Sequence, residues 1–303
     1  MNRSDNKNAS KIESNDGGFL YSLIIVSVML VSILFSLGIS VFAGGDKEVL
    51  AYDSTIIINY LLGPIALLLA IGVLRYKSKK QLLKPLFTCK ITIKHALGAL
   101  FITFGLMFGL GELNNYFASF LNGLGVEISA PTLPTKTPIN VALIVLFVCV
   151  MPALFEEVAF RGIIAGSLKS TGYCFALITS GVVFAFFHMS PAQTIYQFIV
   201  GVIYAYIILN GGSLILTISM HFINNFYIVL NYYFWGFAIT GTAKIIVMII
   251  AMVLLIVGIM LFYKKVDKNL PKETKKLNRI NFIMSAVIGF SVALVMWIQG
   301  LLW

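Results

Sequence analysis

Residues 138–168 read PINVALIVLFVCVMPALFEEVAFRGIIAGSL. The stretch is mostly apolar, and about 20 such residues are enough for a helix to cross the hydrocarbon core of a bilayer. Three ionisable side chains nevertheless lie inside it: Glu156, Glu157 and Arg161. A charge at the centre of a bilayer costs roughly 2.5–3.5 kcal/mol, so such groups persist mainly where they perform a function or neutralise one another. The stretch therefore predicts a membrane-spanning helix that carries a polar site.

The rest of the chain has the same apolar character. Of its 303 residues, 59% are hydrophobic and 11% are charged, and the mean hydropathy is +0.94. This is too little polar surface for a soluble globular protein. Apolar runs occur near 19–43, 54–75, 95–117, 138–168, 174–190, 193–210, 214–234, 245–263 and 281–302. We predict an all-α, polytopic transmembrane helix bundle of about nine spans, embedded in a lipid bilayer.

The polar N-terminal stretch differs in composition from the rest of the chain. Residues 1–17 contain Asp5, Glu13 and Asp16 and precede an apolar run too long for the core of a signal peptide. We predict a disordered cytoplasmic tail over 1–17 and a single transmembrane domain over 18–303, with its core at about 138–235.

The distribution of Lys and Arg predicts the orientation. With the N-terminus in the cytoplasm, 19 of the 22 basic residues fall on one side, and only Lys47, Lys136 and Lys244 fall on the other. The cytoplasmic set is Arg3, Lys7, Lys11, the seven from Arg75 to Lys94, Arg161, Lys169 and the seven from Lys264 to Arg279. This asymmetry follows the positive-inside rule. The net charge of +10 is then a topology signal, and we expect no nucleic-acid partner because no aromatic-interleaved soluble module accompanies it.

Two further polar clusters lie in apolar sequence. They are Phe184-Ala185-Phe186-Phe187-His188 and His221-Phe222-Ile223-Asn224-Asn225, and they hold two of the three histidines of the chain. His95, beside Lys94, is most simply an interface residue. A lone buried histidine is usually a hydrogen-bonded core residue, but here two accompany intramembrane carboxylates.

Helical spacing assigns neighbours to these groups. Glu157 and Arg161 stand at i and i+4, where they can form an ion pair. His221 and Asn225 have the same spacing on their own helix, so an amide group accompanies the imidazole there. Glu156 points about 100° away from Glu157 and faces something else. An alternative is that both acids are solvated at the membrane edge. Counted at 1.5 Å per residue, Glu156 and His188 lie about 20 Å from the cytoplasmic helix ends. His221 lies only about 10 Å from its helix end by the same count, so residue counting alone does not bring it to the depth of the other two.

Taken together, Glu-Glu-x-x-x-Arg, Phe-x-x-x-His and His-x-x-x-Asn on successive predicted helices resemble the motif set of the CAAX-processing and bacteriocin-processing (CPBP, or Abi) family of intramembrane endopeptidases. The Ras-converting prenyl-protein endopeptidase is its eukaryotic relative. The likeness covers roughly residues 138–230. It implies that Glu156 and His188 activate a water, that His221 and Asn225 orient or stabilise the oxyanion, and that Glu157 and Arg161 support the site. The implied location is a plasma membrane, which we expect to be bacterial.

These residue types suit peptide hydrolysis, which needs a base for water, donors for the oxyanion and an acid for the leaving amine. The expected partner is a membrane-associated peptide or protein substrate. Glu156, His188 and His221 could instead hold Zn²⁺ with a water in the fourth position. The family resembles both a metalloprotease and a metal-independent glutamate protease, so the sequence leaves the zinc question open, and we favour the metal-independent reading slightly.

Other functional classes fit less well. A secondary transporter would show duplicated halves with paired broken helices, and none is apparent. A rhomboid-like serine protease lacks a Ser–His pair at a plausible depth. A non-catalytic scaffold or bacteriocin-immunity protein of the same fold is the main alternative, although a scaffold has no reason to keep Glu156, His188, His221 and Asn225 together. The GxxxG spacings of Gly105/Gly109 and Gly162/Gly166 predict close helix packing.

Overall fold

The computed structural model describes residues 12–43, 49, 52–78, 90–126, 128, 132–264 and 271–302. In these ranges the chain forms nine helices and no strand. Their bounds are α1 Ser14–Ala43, α2 Asp53–Ser78, α3 Ile93–Gly123, α4 Pro138–Thr171, α5 Tyr173–Phe187, α6 Thr194–Leu209, α7 Leu214–Trp235, α8 Gly241–Leu261 and α9 Lys272–Leu302. The predicted all-α bundle is confirmed.

Seven of the helices are long and apolar enough to cross a membrane. The other two, α5 and α6, have 15 and 16 residues and are shorter than the usual span. They correspond to the fifth and sixth predicted spans. Most of the predicted tail, residues 1–11, lies outside the described residues, and α1 begins at Ser14.

Helix α4 is the central element of the bundle. All eight residues from Glu157 to Ile164 are buried, whereas a helix at the edge of a bundle buries one face only. These residues form a wide π-helical turn, and a second one spans Val145–Val150. π-Helical turns are rare in proteins, and those that occur are often found at functional sites. The polar motif of α4 therefore lies in the middle of the protein rather than against lipid.

The basic residues gather at one end of the bundle. The His95 ring at the start of α3 stacks on Phe262, just past the end of α8, with centroids 5.0 Å apart. At the same end, the Arg279 Nε of α9 donates to the Thr171 carbonyl oxygen over 2.7 Å. Lys77, in the last turn of α2, lies over the Phe19 ring of α1 at 3.9 Å. We call this the basic end.

The opposite end is held by polar contacts of another kind. Asp53 at the start of α2 accepts from the Thr135 backbone N–H over 2.8 Å and from Asn140 Nδ2 over 2.7 Å. The Glu112 and Lys244 side chains of α3 and α8 form an ion pair of 3.0 Å. The prediction that Arg161 is one of the cytoplasmic basic residues is wrong, because Arg161 is only 1% exposed and lies inside the bundle. It is a site residue instead.

Candidate active site

Glu157 and Arg161 form the buried base of the candidate site. The Arg161 Nη1 lies 3.1 Å from the Glu157 Oε1, and neither side chain is more than 2% exposed. The guanidinium also lies over the Phe184 ring at 3.8 Å and near the Tyr204 ring at 5.0 Å. The ion pair expected from the i, i+4 spacing is present, and the aromatic rings on both sides shield it from lipid and water.

His221 reaches the same carboxylate from α7. Its Nδ1 lies 3.0 Å from Glu157 Oε1, so one oxygen contacts both Arg161 and His221. Counting residues along the helices placed His221 about 10 Å too shallow, because that count treats α4 and α7 as upright helices with level ends. The contact brings the third motif to the first.

Glu156 lies beside this group with less support. It is half-buried, and its Oε2 atom is inaccessible and has no hydrogen-bond partner. His221, Glu157 and Arg161 all act on it electrostatically. A buried carboxylate oxygen without a donor is costly. Glu157 Oε2 and both Nη atoms of Arg161 also lack a hydrogen-bond partner among the described residues, so the whole cluster has unused hydrogen-bonding capacity.

His188 lies at the C-terminal end of α5. Its Nδ1 is 3.0 Å from the Phe184 carbonyl oxygen. A carbonyl can only accept, so Nδ1 carries the hydrogen, and in the neutral ring Nε2 is left as an acceptor. The ring packs edge-on against Phe184 and Phe187, with centroids 4.9 and 5.3 Å away. The Arg161 guanidinium contacts the same Phe184 ring, so α5 lies beside the ion pair of α4.

Asn225 is fixed at both ends of its amide. Its Nδ2 donates to the Val148 carbonyl oxygen of α4 over 2.8 Å. Four residues after Val148 stands Pro152, which has no N–H, so this carbonyl lacks the donor that an ordinary α-helix would supply. The Asn225 Oδ1 accepts from Asn224 Nδ2 over 3.1 Å. One Nδ2–H of Asn225 remains free of these contacts.

Asn224 and Tyr196 belong to the site although the sequence did not single them out. Tyr196 Oη lies 3.4 Å from Asn224 Oδ1, which links α6 to the Asn224–Asn225 pair. Helical spacing favours Asn225 over Asn224 as the partner of His221, because Asn224 lies about 100° from Asn225 around the helix. Its position next to Asn225 was the available signal, because adjacent amides can hydrogen-bond to each other. Nothing in the sequence marks Tyr196 among the 13 tyrosines.

A small cavity of about 30 Å³ lies against these groups, and this is enough for a water molecule. Its lining comprises Phe184, Tyr196, Gln197, Val200, Tyr204, His221, Asn224 and Asn225. Two of the four residues predicted as catalytic therefore face it, while Glu156 and His188 are not part of its lining. A larger cavity of about 420 Å³ adjoins it and shares Tyr196 and Asn224.

A zinc ion would require Glu156, His188 and His221 to converge as ligands. The donor types fit, and each histidine already has an Nδ1 partner, as zinc-binding histidines usually do. In the described residues, however, no three His, Cys, Asp or Glu side chains are grouped closely enough to hold a metal. The arrangement does not fit a preformed zinc site.

Comparison with known proteins finds a family that matches the central segment of the chain. Residues 138–227 match the family described as type II CAAX prenyl endopeptidase Rce1-like. The predicted resemblance to this family is confirmed over that segment, which is 90 of the 303 residues. The matched segment of this CAAX endopeptidase family runs from the start of α4 into α7 and contains all six predicted site residues. A search of curated proteins and a search of solved structures each found no match. The family supports intramembrane protease activity in general.

Proposed function

We propose that this protein is an intramembrane endopeptidase that hydrolyses membrane-associated peptides or proteins, with Glu156, His188, His221 and Asn225 as its catalytic residues. The observation that carries the proposal is the contact between His221 and Glu157, because it joins the motif of α7 to that of α4 beside a water-sized cavity. The segment that matches the endopeptidase family contains both residues.

Glu156 and His188 activate the water. Glu156 has an oxygen without a donor, and His188 presents Nε2 as an acceptor because Nδ1 is bound to a carbonyl. A water between the two gives up a proton as its oxygen attacks the scissile carbonyl carbon. The same proton then goes to the departing amine when the C–N bond breaks, so the site ends as it began.

His221 and Asn225 stabilise the oxyanion formed by that attack. The Nδ1 of His221 donates to the Glu157 carboxylate, so Nε2 is the nitrogen left for the substrate. It donates to the oxyanion as the imidazolium, in which both ring nitrogens carry a hydrogen. Asn225 donates one Nδ2–H to Val148, and its second Nδ2–H is free for the oxyanion. Donors fixed in advance are effective because no reorganisation is needed in the transition state. Glu157 and Arg161 position His221.

The proposal is tested by comparing the membrane peptides of cells that produce the wild type with those of cells that produce Glu156→Gln, by mass spectrometry. We expect cleaved peptides in the wild type that are absent in the variant, because glutamine keeps the shape but cannot accept a proton. The cleaved peptides would also identify the substrate. Identical peptide profiles, with both proteins present in equal amounts in the membrane, would support the scaffold alternative instead.

A further inference from the structure

The larger cavity lies at the end of the bundle opposite the basic residues. Among the residues that line it are Glu112 near the end of α3 and Lys244 at the start of α8. On α3, Glu112 follows Lys94 by 18 residues, which is about 27 Å along a helix. The two ends are also separate in space, since His95 contacts Phe262 at one and Glu112 pairs with Lys244 at the other.

The mouth of this cavity is accessible. Glu112 and Lys244 are 33% and 28% exposed, and Phe237 and Ala238 in the connection between α7 and α8 are exposed and belong to the lining. The walls below the mouth combine apolar side chains such as Met107, Phe108 and Met248 with amide groups from Asn114, Asn115, Asn224 and Asn231. A mixed wall of this kind suits a polypeptide, which presents amide groups and side chains together.

The cavity adjoins the candidate active site. Tyr196 and Asn224 line both this cavity and the small one that His221 and Asn225 face. They form the common wall of the two spaces. Their mutual contact is a long hydrogen bond of 3.4 Å, which is weaker than one of ordinary length. A volume of about 420 Å³ is within the range of ligand-binding clefts.

Charge decides which side of the membrane this mouth faces. Lys77, Lys94, Lys169, Lys264 and Arg279 lie at the opposite end, and the positive-inside rule assigns that end to the cytoplasm. We propose that the larger cavity is the entrance to the active site and that it opens on the non-cytoplasmic face, so that the substrate is a polypeptide segment presented at the outer surface of the membrane. This inference rests on the proposed function.

Site-directed labelling tests the proposal, because its first readout does not depend on activity. Cys89, Cys149 and Cys174 are replaced by alanine, and Ala238→Cys is introduced at the cavity mouth. The matched controls are Lys136→Cys, which is exposed at the same end but is not part of the lining, and a protein that retains only Cys174, which is exposed at the start of α5. Intact cells are treated with a bulky, membrane-impermeant maleimide.

We expect Ala238→Cys and Lys136→Cys to react as fully in intact cells as after permeabilisation, and Cys174 to react only after permeabilisation. Modification should abolish peptide cleavage by Ala238→Cys and leave that by Lys136→Cys unchanged. Reaction of Ala238→Cys only after permeabilisation would overturn the sidedness. Unimpaired cleavage by the labelled protein would overturn the entrance. If neither the variants nor the wild type cleave peptides, the proposed function fails. The entrance then fails with it, whichever side of the membrane the cavity faces.

Discussion

At the scale of single residues, the two adjacent glutamates of α4 have different surroundings. Glu157 contacts Arg161 and His221 within 3.1 Å and has no exposed area. Glu156 is half-buried and has an oxygen without a partner. In the part of the chain that the structure describes, Glu157 Oε2 and both Nη atoms of Arg161 are likewise buried without a hydrogen-bond partner, so satisfied hydrogen bonds do not distinguish the two acids. The base is assigned to Glu156 because Glu157 Oε1 is already held by Arg161 and His221.

These different surroundings predict different effects of the same substitution, a loss of stability at Glu157 and a loss of activity at Glu156. Glu157→Gln leaves the Arg161 charge buried without its partner, so we expect it to lower the free energy of unfolding by about 3–5 kcal/mol, and Arg161→Ala to do the same. Glu156→Gln should leave stability unchanged and lower the rate of cleavage by about 10²–10⁴. Thermal unfolding of the purified proteins and peptide mass spectrometry measure the two effects. Equal loss of activity in well-folded forms of both glutamine variants would contradict this division.

The histidines provide a second test with an internal control. His188→Ala and His221→Ala should each abolish cleavage, because each removes a group of the polar cluster. His95→Ala should leave cleavage unchanged, because His95 stacks on Phe262 at the basic end. Since no metal site is preformed in the described residues, chelators should not affect the wild type. Reversible inactivation by a chelator, with loss of stoichiometric zinc in both active-site histidine variants, would contradict the metal-independent mechanism.

At the scale of helices, only one of the two predicted GxxxG pairs, Gly105 and Gly109, shows close packing of both its glycines against a neighbouring helix. An added Cβ at Gly105 of α3 would lie 2.5 Å from the Leu255 Cβ of α8, and one at Gly109 would lie 3.0 Å from the Met252 sulfur. Gly166 of α4 has no such neighbour within 4 Å. The GxxxG spacing of Gly105 and Gly109 therefore marks a helix interface, whereas that of Gly162 and Gly166 does not mark one at Gly166.

This difference predicts a matched pair of variants. Gly105→Ala should lower the free energy of unfolding by about 1–3 kcal/mol, because α3 and α8 must move apart to admit the methyl group. Gly166→Ala should be neutral or slightly stabilising, since alanine favours a helix and meets no neighbour. Thermal unfolding in one detergent compares them. Unchanged stability of Gly105→Ala would contradict the close α3–α8 contact, and an equal loss in both variants would contradict the open space beside Gly166.

The helices and much of the site were predictable from the sequence, for reasons that differ between residues. Apolar length fixes seven of the nine described helices because each is long enough to cross the hydrocarbon core, whereas α5 and α6 are apolar but shorter than a span. The i, i+4 spacing of Glu157 and Arg161 fixes their pairing locally. The Glu157–His221 contact and the place of Tyr196 depend on how separate helices pack, which residue spacing along one helix does not specify. Pro152 shows in the sequence that the Val148 carbonyl lacks its usual helical donor, but that Asn225 of α7 replaces it depends on helix packing.

At the scale of the whole molecule, the bundle has a basic end and an end with the large cavity, and the candidate catalytic groups lie between them. Helix α4 spans both ends and is buried at its centre. Tyr196 and Asn224 line both the large cavity and the small one at the candidate site, and the proposed entrance depends on this adjacency. A scaffold protein would need no such entrance.

Hydrolysis in isotopically labelled water tests the central claim most directly. Purified wild type and Glu156→Gln are reconstituted in vesicles with peptides extracted from the native membrane, in water enriched in oxygen-18. If the protein is an endopeptidase that activates water through Glu156, the wild type should generate new peptide carboxyl termini that each contain one oxygen-18 atom, and the variant should generate almost none. Labelled termini at equal rates with both proteins would contradict the role of Glu156. The absence of labelled termini with both proteins would contradict the proposal that the protein is a protease.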